Sequence, residues 1–356
     1  AMIKIYKKFD GEIKDLWLEL EENSNIFPFQ SYHWLLNWQK TAGKKYKVFL
    51  TCIFLNDRLE AIFPFGIKSS NLISKLEWLG GSHSDYMAPI LRFSHEGVII
   101  NFESLWGEVL SALPNFDILN LSKQIPELNS RENPFLNIYP SNEIMHSYQS
   151  VFDNSWSEFQ AGIPKKVLAD SVRQRKRLAE HGNLKFNFFD SDEQCPDFLE
   201  QLFSFKQQRY VQMGVKNFLE SKDHQDFYSK LPLILDSKTK VHRSSLTLDG
   251  EVIALHWGVT YLKTFYYLMP AHNTGKWSKY SPGKLLLEDL LKWSHDNQFT
   301  IFDFTGGEEP YKKIWSNRSF LLYESTHAFS IRGKIYLYFL DAARAVKKII
   351  KKLLGK

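Results

Sequence analysis

The segment from Lys279 to Asn317 constrains this chain more than any other part of it, because three kinds of local structure follow one another with almost no linker. A Ser-Pro-Gly-Lys turn opens an amphipathic helix pattern, the strand pattern FTIFDF follows, and Gly306-Gly307 leads into EEPYKKIW. A glycine-bearing turn at a helix N-terminus presents backbone N–H groups and the positive end of the helix dipole, which favour anions. Proton-handling side chains follow this turn closely. The segment therefore predicts group transfer from a phosphate-bearing carrier.

The size of the chain sets its domain number. At 356 residues, with 44% hydrophobic and 15% aromatic residues, it exceeds the length at which a single core usually splits, so we expect two domains. The charge is nearly balanced, 45 basic against 40 acidic residues, for a formal net charge of +5. This small positive net charge favours anionic ligands but does not indicate a nucleic-acid coat, so we expect no DNA partner.

The two cysteines, Cys52 and Cys195, lie far apart and lack the spacing of metal ligands, so we expect a reducing compartment and no metal. The N-terminal residues lack the basic, apolar and small-residue order of a signal peptide. No apolar run approaches the roughly 20 residues of a membrane span. The sequence therefore predicts a cytoplasmic protein.

Strand and helix patterns alternate along the whole chain. The first half has a strand MIKIY, a helix capped by Ser31 and two strands joined by Asn56-Asp57. The second half has a helix over 164–182, a helix near 196–213 and a β-meander with Asp249-Gly250 as its turn. We predict a mixed α/β fold whose domains are delimited as follows: 2–150, 151–333 with the donor site, and a basic amphipathic helix over 334–356.

Six pieces of the sequence resemble, in this order, the CelD-like acetyltransferases: QSYHWL (30–35), LGGSHSDYMAP (79–89), SVRQRKRLAEHG (171–182), LDGEVIALHWG (248–258), YSPGKLLLEDLLKW (280–293) and FDFTGGEEPYKKIW (302–315). That family belongs to the GNAT (Gcn5-related N-acetyltransferase) superfamily and is related to the FemAB-type tandem-domain transferases. The resemblance extends over residues 28–330. It implies two tandem GNAT-like domains, each a mixed, mostly antiparallel sheet flanked by helices.

The resemblance also implies a reaction. Acetyl-CoA or another acyl-CoA would donate an acyl group to an amine or hydroxyl of a small molecule, such as a sugar or a cell-surface polysaccharide precursor. The FemAB-type relatives imply an alternative, transfer of an aminoacyl group from a charged tRNA. The glycine-rich pyrophosphate loop of GNAT enzymes is reduced here to residues 281–284, which leaves open a third interpretation, a degenerate GNAT scaffold with a binding role.

The donor-site candidates are Ser281, Gly283 and Lys284. Ser281 can cap the helix, Gly283 allows close approach of a ligand to the backbone, and Lys284 adds a cation. An ordinary helix start would use the same residues, and that alternative remains open.

The catalytic candidates lie in the predicted strand FTIFDF and in the segments before and after it. Asp303 alternates with large apolar neighbours, so its carboxyl is expected to be partly buried and suited to be a general base, or else to pair with Lys312 or backbone amides. His256 lies in a preceding strand and is a second candidate base, or a core histidine. Tyr311 could protonate a leaving thiolate, and Lys312 could stabilise an oxyanion or a phosphate.

The polar loop after Gly80-Gly81 is a candidate acceptor-binding site. Its members are His83, Ser84, Asp85 and Tyr86, and we expect them to line an acceptor pocket reached through a cleft between the domains. A locally structured loop with Asx-type turns is the alternative.

Two basic helix patterns indicate further partners. The helix over 165–177 could contact CoA phosphates or RNA, or form a solvated charged face. The stretch 335–354 has basic residues mostly opposite one predicted apolar face, which is formed by Leu337, Leu340, Ala343, Val346, Ile349, Ile350 and Leu353. That pattern is typical of a helix on an anionic membrane, here the inner membrane face, although packing on the body or a partner is equally open.

Overall fold

The chain divides into two compact units, one formed by residues 1–144 with 321–356 and the other by residues 145–320. The computed structural model describes residues 1–70, 72–93, 98, 102–153, 155–215 and 217–353, with side chains as far as Val346. The sequence also predicts a helix from about residue 99 to Leu113, and residues 99–101 of it lie outside the described residues.

Helices and strands alternate as the sequence predicts. The α-helices are α1 Glu12–Glu22, α2 Tyr32–Lys40, α3 Phe102–Ala112, α4 Phe135–Ile138, α5 Trp156–Ala161, α6 Lys165–Ala179, α7 Phe198–Met213, α8 Lys222–Lys230, α9 Pro282–Asp296, α10 Pro310–Trp315 and α11 Ile331–Leu353. The strands are β1 Met2–Tyr6, β2 Tyr46–Leu55, β3 Arg58–Ser69, β4 Ser74–Trp78, β5 Ile90–Leu91, β6 Ile118–Gln124, β7 Glu127–Leu128, β8 Arg131–Glu132, β9 Ser141–Val151, β10 Leu184–Phe189, β11 Thr239–Leu248, β12 Glu251–Tyr261, β13 Thr264–His272, β14 Ile301–Gly306 and β15 Arg318–Ala328.

The sheet of the first unit runs in the order β1-β2-β3-β4-β6-β15, with β5 paired to β3. Its neighbours are antiparallel except β4 and β6, which are parallel. Strands β2 and β3 are buried over most of their length, as their nearly continuous apolar runs predict. The last strand of this sheet comes from the far end of the chain, because β15 pairs with β6 from Tyr323 opposite Gln124 to Ala328 opposite Ile118.

This pairing makes the units differ from the boundaries predicted at residues 150 and 333. The sequence interpretation assigned β15 to the second domain, whereas its partner strand belongs to the first unit. No local pattern predicts a pairing between strands so distant in sequence, since each strand shows only its own periodicity. The C-terminal helix also begins earlier than predicted, at Ile331.

The sheet of the second unit runs in the order β9-β14-β13-β12-β11-β10. Among the described strands of this sheet, β13 and β14 are the one parallel pair of neighbours. Helix α9 connects these two strands, because parallel neighbours need a crossover connection. The apolar side of α9, with Leu285, Leu286 and Leu290, packs into one cluster with Phe265 and Phe302. Burial of each such side chain contributes about 1.5–3 kcal/mol to folding.

Two tight turns fix the register of the main hairpins. Asn56 and Asp57 have φ of 50° and 58°, and Asp249 and Gly250 have φ of 46° and 83°. Both central residues at positive φ define the turn whose twist matches that of antiparallel strands. The predicted hairpin turns are confirmed. Ser31 is confirmed as a helix cap, because its side chain accepts a hydrogen bond from the Trp34 backbone N–H at 3.3 Å.

The close approach of Gly258 to its neighbouring strand is a testable feature. A Cβ at Gly258 would clash with the Tyr266 carbonyl oxygen and lie 2.6 Å from the His256 ring. We expect Gly258→Ala to lower the free energy of unfolding by about 1–3 kcal/mol, measured by chemical denaturation. Gly107→Ala is the control, because a Cβ there meets nothing within 4 Å, and it should raise stability by about 0.5–1 kcal/mol. Equal effects of the two substitutions would contradict this packing.

Candidate functional site

The two parallel strands of the second unit separate along their length. They pair at three positions, from Thr264 opposite Ile301 to Tyr266 opposite Asp303, and then both continue, to His272 and to Gly306. Parallel strands that diverge leave backbone N–H and C=O groups available to an extended ligand between them. We call this space, beyond the last strand pair, the β13–β14 opening.

The first turn of α9 follows β13 directly, but it differs from the predicted anion site. Ser281 has φ 55° and ψ 51° and makes no side-chain capping bond, so the predicted Ser cap is not formed. The N–H groups of Lys284 and Leu285 both donate to the Ser281 carbonyl, at 3.0 and 3.3 Å. Since Pro282 has no N–H, Gly283 supplies the first amide at this end of the helix.

The side chain of Lys284 turns away to the neighbouring helix. Its ammonium donates to the Asp170 carboxylate at 2.9 Å and to the Val167 carbonyl at 3.1 Å, both in α6. The ion pair holds the pKa of Asp170 down, to about 2. Lys284 therefore fastens α9 to α6 in this state and leaves Gly283 as the residue of the turn that offers a backbone contact.

His272 ends β13 and lies against the same turn. A Cβ at Gly283 would lie 3.2 Å from its Nδ1. Burial lowers the pKa of His272, and the nearby cations Arg209 and Lys206 lower it further. A histidine with a lowered pKa is neutral at pH 7 and can accept a proton. The sequence interpretation missed it, although its position at the end of the meander, just before the turn, was visible in the sequence.

The other wall of the opening ends in a cluster of charges over Gly307. Lys312 is buried, and its ammonium donates to the Gly306 carbonyl at 2.7 Å and pairs with Glu309 at 3.2 Å. Gly307 has φ 146°, and a Cβ there would clash with the Glu309 carboxylate and lie 2.6 Å from the Lys312 Nζ. The positive φ favours glycine at this position, and a side chain there would push the ends of Glu309 and Lys312 aside. Lys312 is thus held inside the fold and does not face solvent.

Lys206 of α7 interacts electrostatically with titratable groups at both walls of the opening, namely Glu309 and Lys312 on one side and His272 on the other. Burial lowers its pKa to about 8, while the Glu309 charge raises this pKa and the Lys312 charge lowers it. Its own charge lowers the pKa of His256 and of His272. A lysine with such a pKa is partly neutral near pH 8 and can serve as a general base. No motif surrounds Lys206 in the sequence, so pattern reading could not single it out.

Asp303 lies where the two strands part, and both of its carboxylate oxygens accept hydrogen bonds. Gln149 of β9 donates to one oxygen and the Thr305 backbone N–H to the other, each at 2.7 Å. Arg318 in turn donates to the Gln149 amide oxygen at 2.8 Å. The side chain of Asp303 is fully buried. This geometry holds the bulge of β14, where Thr305 has φ 59°.

His256 is sealed inside the aromatic core of the second unit. Its ring stacks on Tyr267 at 4.5 Å with an angle of 3°, and it is fully buried. Within the described part of the chain, neither ring nitrogen has a hydrogen-bond partner. Burial keeps its pKa well below 6.5, and His242 and Lys206 add to this effect. His256 is therefore neutral at physiological pH.

Tyr311 packs beside the opening on α10. Its ring lies 6.4 Å from Tyr267 and 6.3 Å from Phe304. Burial raises the pKa of Tyr311, and the Glu309 charge raises it further, so its hydroxyl stays protonated. A protonated hydroxyl is what an acid for a leaving thiolate requires.

The predicted acceptor loop belongs to the first unit and is largely packed. Ser84 accepts a hydrogen bond from the Trp34 indole at 3.1 Å, and the Ser84 carbonyl accepts one from Lys123 at 2.7 Å. The same lysine pairs with Asp85 at 3.5 Å. Tyr86 is fully buried and His83 nearly so. Of the four residues, Asp85 is the one that presents a polar group toward solvent, and it already pairs with a lysine.

The basic helix α6 divides its charges between two sides. Arg175 pairs with Asp289 of α9 at 2.8 Å, so this cation serves the packing of the unit. The exposed cations are Lys165, Lys166, Arg173, Lys176 and Arg177, of which Arg173 pairs with Asp170 of the same helix.

Among the described residues, no group of histidine, cysteine, aspartate and glutamate side chains has the arrangement of a metal site. In that same part of the chain, every helix is too short or too polar to span a membrane.

The comparisons with known proteins agree with this geometry. Residues 165–313 match the sequence profile of the family described as "Acetyltransferase (GNAT) domain", and they include both walls of the β13–β14 opening. Among curated proteins, no sequence matches the chain. Among solved structures, FemX is similar over 95% of this chain and 99% of its own, at 9% identity and a TM-score of 0.63.

Two further structures are similar over nearly their whole length. L-PGS from Bacillus licheniformis has 13% identity and a TM-score of 0.55, over 97% of this chain and 99% of its own. A tandem GNAT protein from the clavulanic acid biosynthesis pathway has 10% identity and a TM-score of 0.52, over 92% and 98%. At these identities the similarity shows the fold alone. The profile match of residues 165–313 and these structures confirm the predicted mixed α/β fold of two tandem GNAT-like domains.

The buried ion cluster over Gly307 yields a stability prediction. Lys312→Met removes the donor to the Gly306 carbonyl and the partner of Glu309, and we expect a loss of about 1.5–3 kcal/mol in the free energy of unfolding. Lys313→Met is the matched control. Lys313 is the exposed neighbour of Lys312, so its substitution should change the free energy of unfolding by less than about 0.5 kcal/mol. Urea denaturation followed by circular dichroism measures both. A Lys312→Met protein as stable as its control would show that the cluster is not a fixed part of the fold.

Proposed function

We propose that this protein is an acyltransferase that moves an acyl group, with acetyl as the first candidate, from acyl-CoA to an amine or hydroxyl. The observation that carries the proposal is the β13–β14 opening, which ends at Gly283 of α9 on one side and at the Glu309–Lys312 cluster on the other. An extended carrier with amide groups would pair with the backbone between the strands. Its phosphates would lie at the α9 N-terminus, where the helix dipole favours negative charge.

The reacting groups would meet at the charged end of the opening. The acceptor nucleophile attacks the thioester carbonyl, its proton passes to neutral Lys206 or His272, and the carbon–sulfur bond breaks. Tyr311, which its buried environment keeps protonated, would give its proton to the leaving thiolate. Lys312 would stabilise the negative oxygen of the intermediate. Direct transfer of this kind needs no enzyme nucleophile.

Asp303 and His256 would hold neighbouring groups in place and would not transfer protons themselves. Asp303 fixes the point at which β14 leaves β13, through its bonds to Gln149 and Thr305. His256 supports Tyr267, which packs beside Tyr311. In this proposal their removal would disturb the shape of the opening rather than a proton transfer.

The CelD-like resemblance supports a class of acceptor, and the cysteines support a cellular compartment. We propose a sugar or polysaccharide precursor as the acceptor. The free thiols Cys52 and Cys195 support work in a reducing compartment such as the cytoplasm.

A second candidate function is aminoacyl transfer from a charged tRNA, as the FemAB-type resemblance implies. The exposed cations of α6 favour it, since several exposed basic side chains on one helix attract a phosphate backbone. The main proposal is favoured by the opening itself, which suits a slender, extended carrier. A degenerate scaffold with a binding role remains the non-catalytic alternative.

Calorimetry with CoA, acetyl-CoA and longer acyl-CoAs tests the donor. We expect at least one to bind to the full chain, and Gly283→Val to weaken this binding about tenfold or more, because the added side chain fills the space beside His272. Gly107→Ala, on an exposed helix face, should bind as the natural chain does.

The donor experiment separates the candidates. Binding of aminoacyl-tRNA with no response to any CoA species, and activity that RNase abolishes, would replace the main proposal by the second. No binding of either carrier would leave the scaffold interpretation.

The pH profile tests Lys206. With acetyl-CoA and an amino sugar, release of the CoA thiol should rise with pH and level off above about 8, because the base must be neutral and its pKa is lowered to about 8. Lys206→Gln should lower kcat/KM by about 10²–10⁴-fold and remove this pH dependence. Lys313→Gln, an exposed lysine, serves as control. A Lys206→Gln enzyme with the natural pH profile would exclude Lys206 as the base.

A further inference from the structure

The C-terminal helix α11 carries a row of large apolar side chains that its own unit does not cover. The exposed fractions are 77% for Ile331, 52% for Ile335, 72% for Tyr338, 66% for Phe339 and 54% for Val346. Residues at spacings of three, four, seven and eight lie on one side of a helix. We call this row the outer stripe of α11.

The opposite side of α11 fixes the helix to the first unit. Gly333 lies so close to the Asp117 carbonyl that a Cβ would clash there. The Lys75 ammonium donates to the Tyr336 hydroxyl at 3.3 Å and lies over its ring. Leu337 and Leu340 are half-buried. The face predicted from the sequence is therefore divided, because Leu337 and Leu340 turn inward while Val346 belongs to the outer stripe.

The helix is also strongly basic. Over residues 331–353 it has one acidic residue, Asp341, and these basic residues: Arg332, Lys334, Arg344, Lys347, Lys348, Lys351 and Lys352. The sequence beyond Val346 continues the apolar spacing of the outer stripe with Ile349 and Leu353. With a rise of about 1.5 Å per residue, the helix is roughly 35 Å long, enough to lie along a surface.

We propose that the outer stripe docks α11 on the surface of an anionic lipid bilayer. The apolar side chains would enter the boundary between headgroups and acyl chains, where aromatic rings such as those of Tyr338 and Phe339 are favoured. The basic residues would attract the anionic headgroups. The helix lies on the membrane and does not cross it, in agreement with the absence of a spanning helix in the described chain.

Charge decides between a membrane and a second copy of the chain. Two copies of α11 packed stripe to stripe would bring two strongly basic helices together, and like charges repel. An anionic bilayer offers the opposite charge over the whole length of the helix. The proposal concerns where the protein works, and it does not depend on the acyl transfer.

Vesicle co-sedimentation of the full chain tests this docking. We expect binding to vesicles of phosphatidylglycerol and phosphatidylcholine in equal parts, little binding to phosphatidylcholine alone, and weaker binding as salt is raised. The double variant Tyr338→Ser, Phe339→Ser should bind anionic vesicles at least about tenfold more weakly than the natural chain. Both side chains are exposed, so circular dichroism should show an unchanged fold.

A matched control removes apolar side chains of similar exposure elsewhere. Val211→Ser with Leu233→Ser, 74% and 78% exposed in the natural chain, should bind anionic vesicles as the natural chain does. Equal binding to both kinds of vesicle, or no loss in the Tyr338, Phe339 variant, would overturn the proposal. So would light scattering that shows a dimer for the natural chain and a monomer for that variant, since the stripe would then join two copies.

Discussion

The parting of β13 from β14 after three paired positions is the constraint on which the candidate site depends. Asp303 sits at this point with no exposure to water, and its two oxygens bind Gln149 of a third strand and the amide of Thr305. Those bonds hold β14 in its bulged course toward β9 and away from β13. A buried carboxylate is stable only when it is hydrogen-bonded, so the same contacts that satisfy it also keep the opening between the strands.

Charges from separate elements then gather at the end of that opening. Lys206 comes from α7, His272 from β13, and Glu309 and Lys312 from the segment after β14. Burial of one cation beside another lowers the pKa of Lys206, while the carboxylate opposes that change. Glycine at position 307 allows this packing, since a side chain there would displace both the carboxylate and the ammonium. The backbone geometry and the electrostatics thus support each other.

Local patterns predicted much of this structure. The turns at Asn56-Asp57 and Asp249-Gly250, the Ser31 cap and the helix that follows residue 281 all depend on neighbours in sequence, and all are present. Residue roles were harder to predict. Lys284, a donor-site candidate in the sequence, pairs with Asp170 of α6. Lys206 carries no motif, because a pKa depends on which distant groups fold next to the residue.

The sequence by itself determined the fold class, the order of strands and helices, and the segment that forms the walls of the candidate site, because periodicity, turn residues and the resemblance are properties of neighbouring residues. Only the tertiary structure decided the pairing of β15 with β6, the position of Asp303 at the parting of two strands, and the side of α11 that remains uncovered. Burial and long-range pairing depend on which surfaces meet, and one-dimensional patterns do not contain that information.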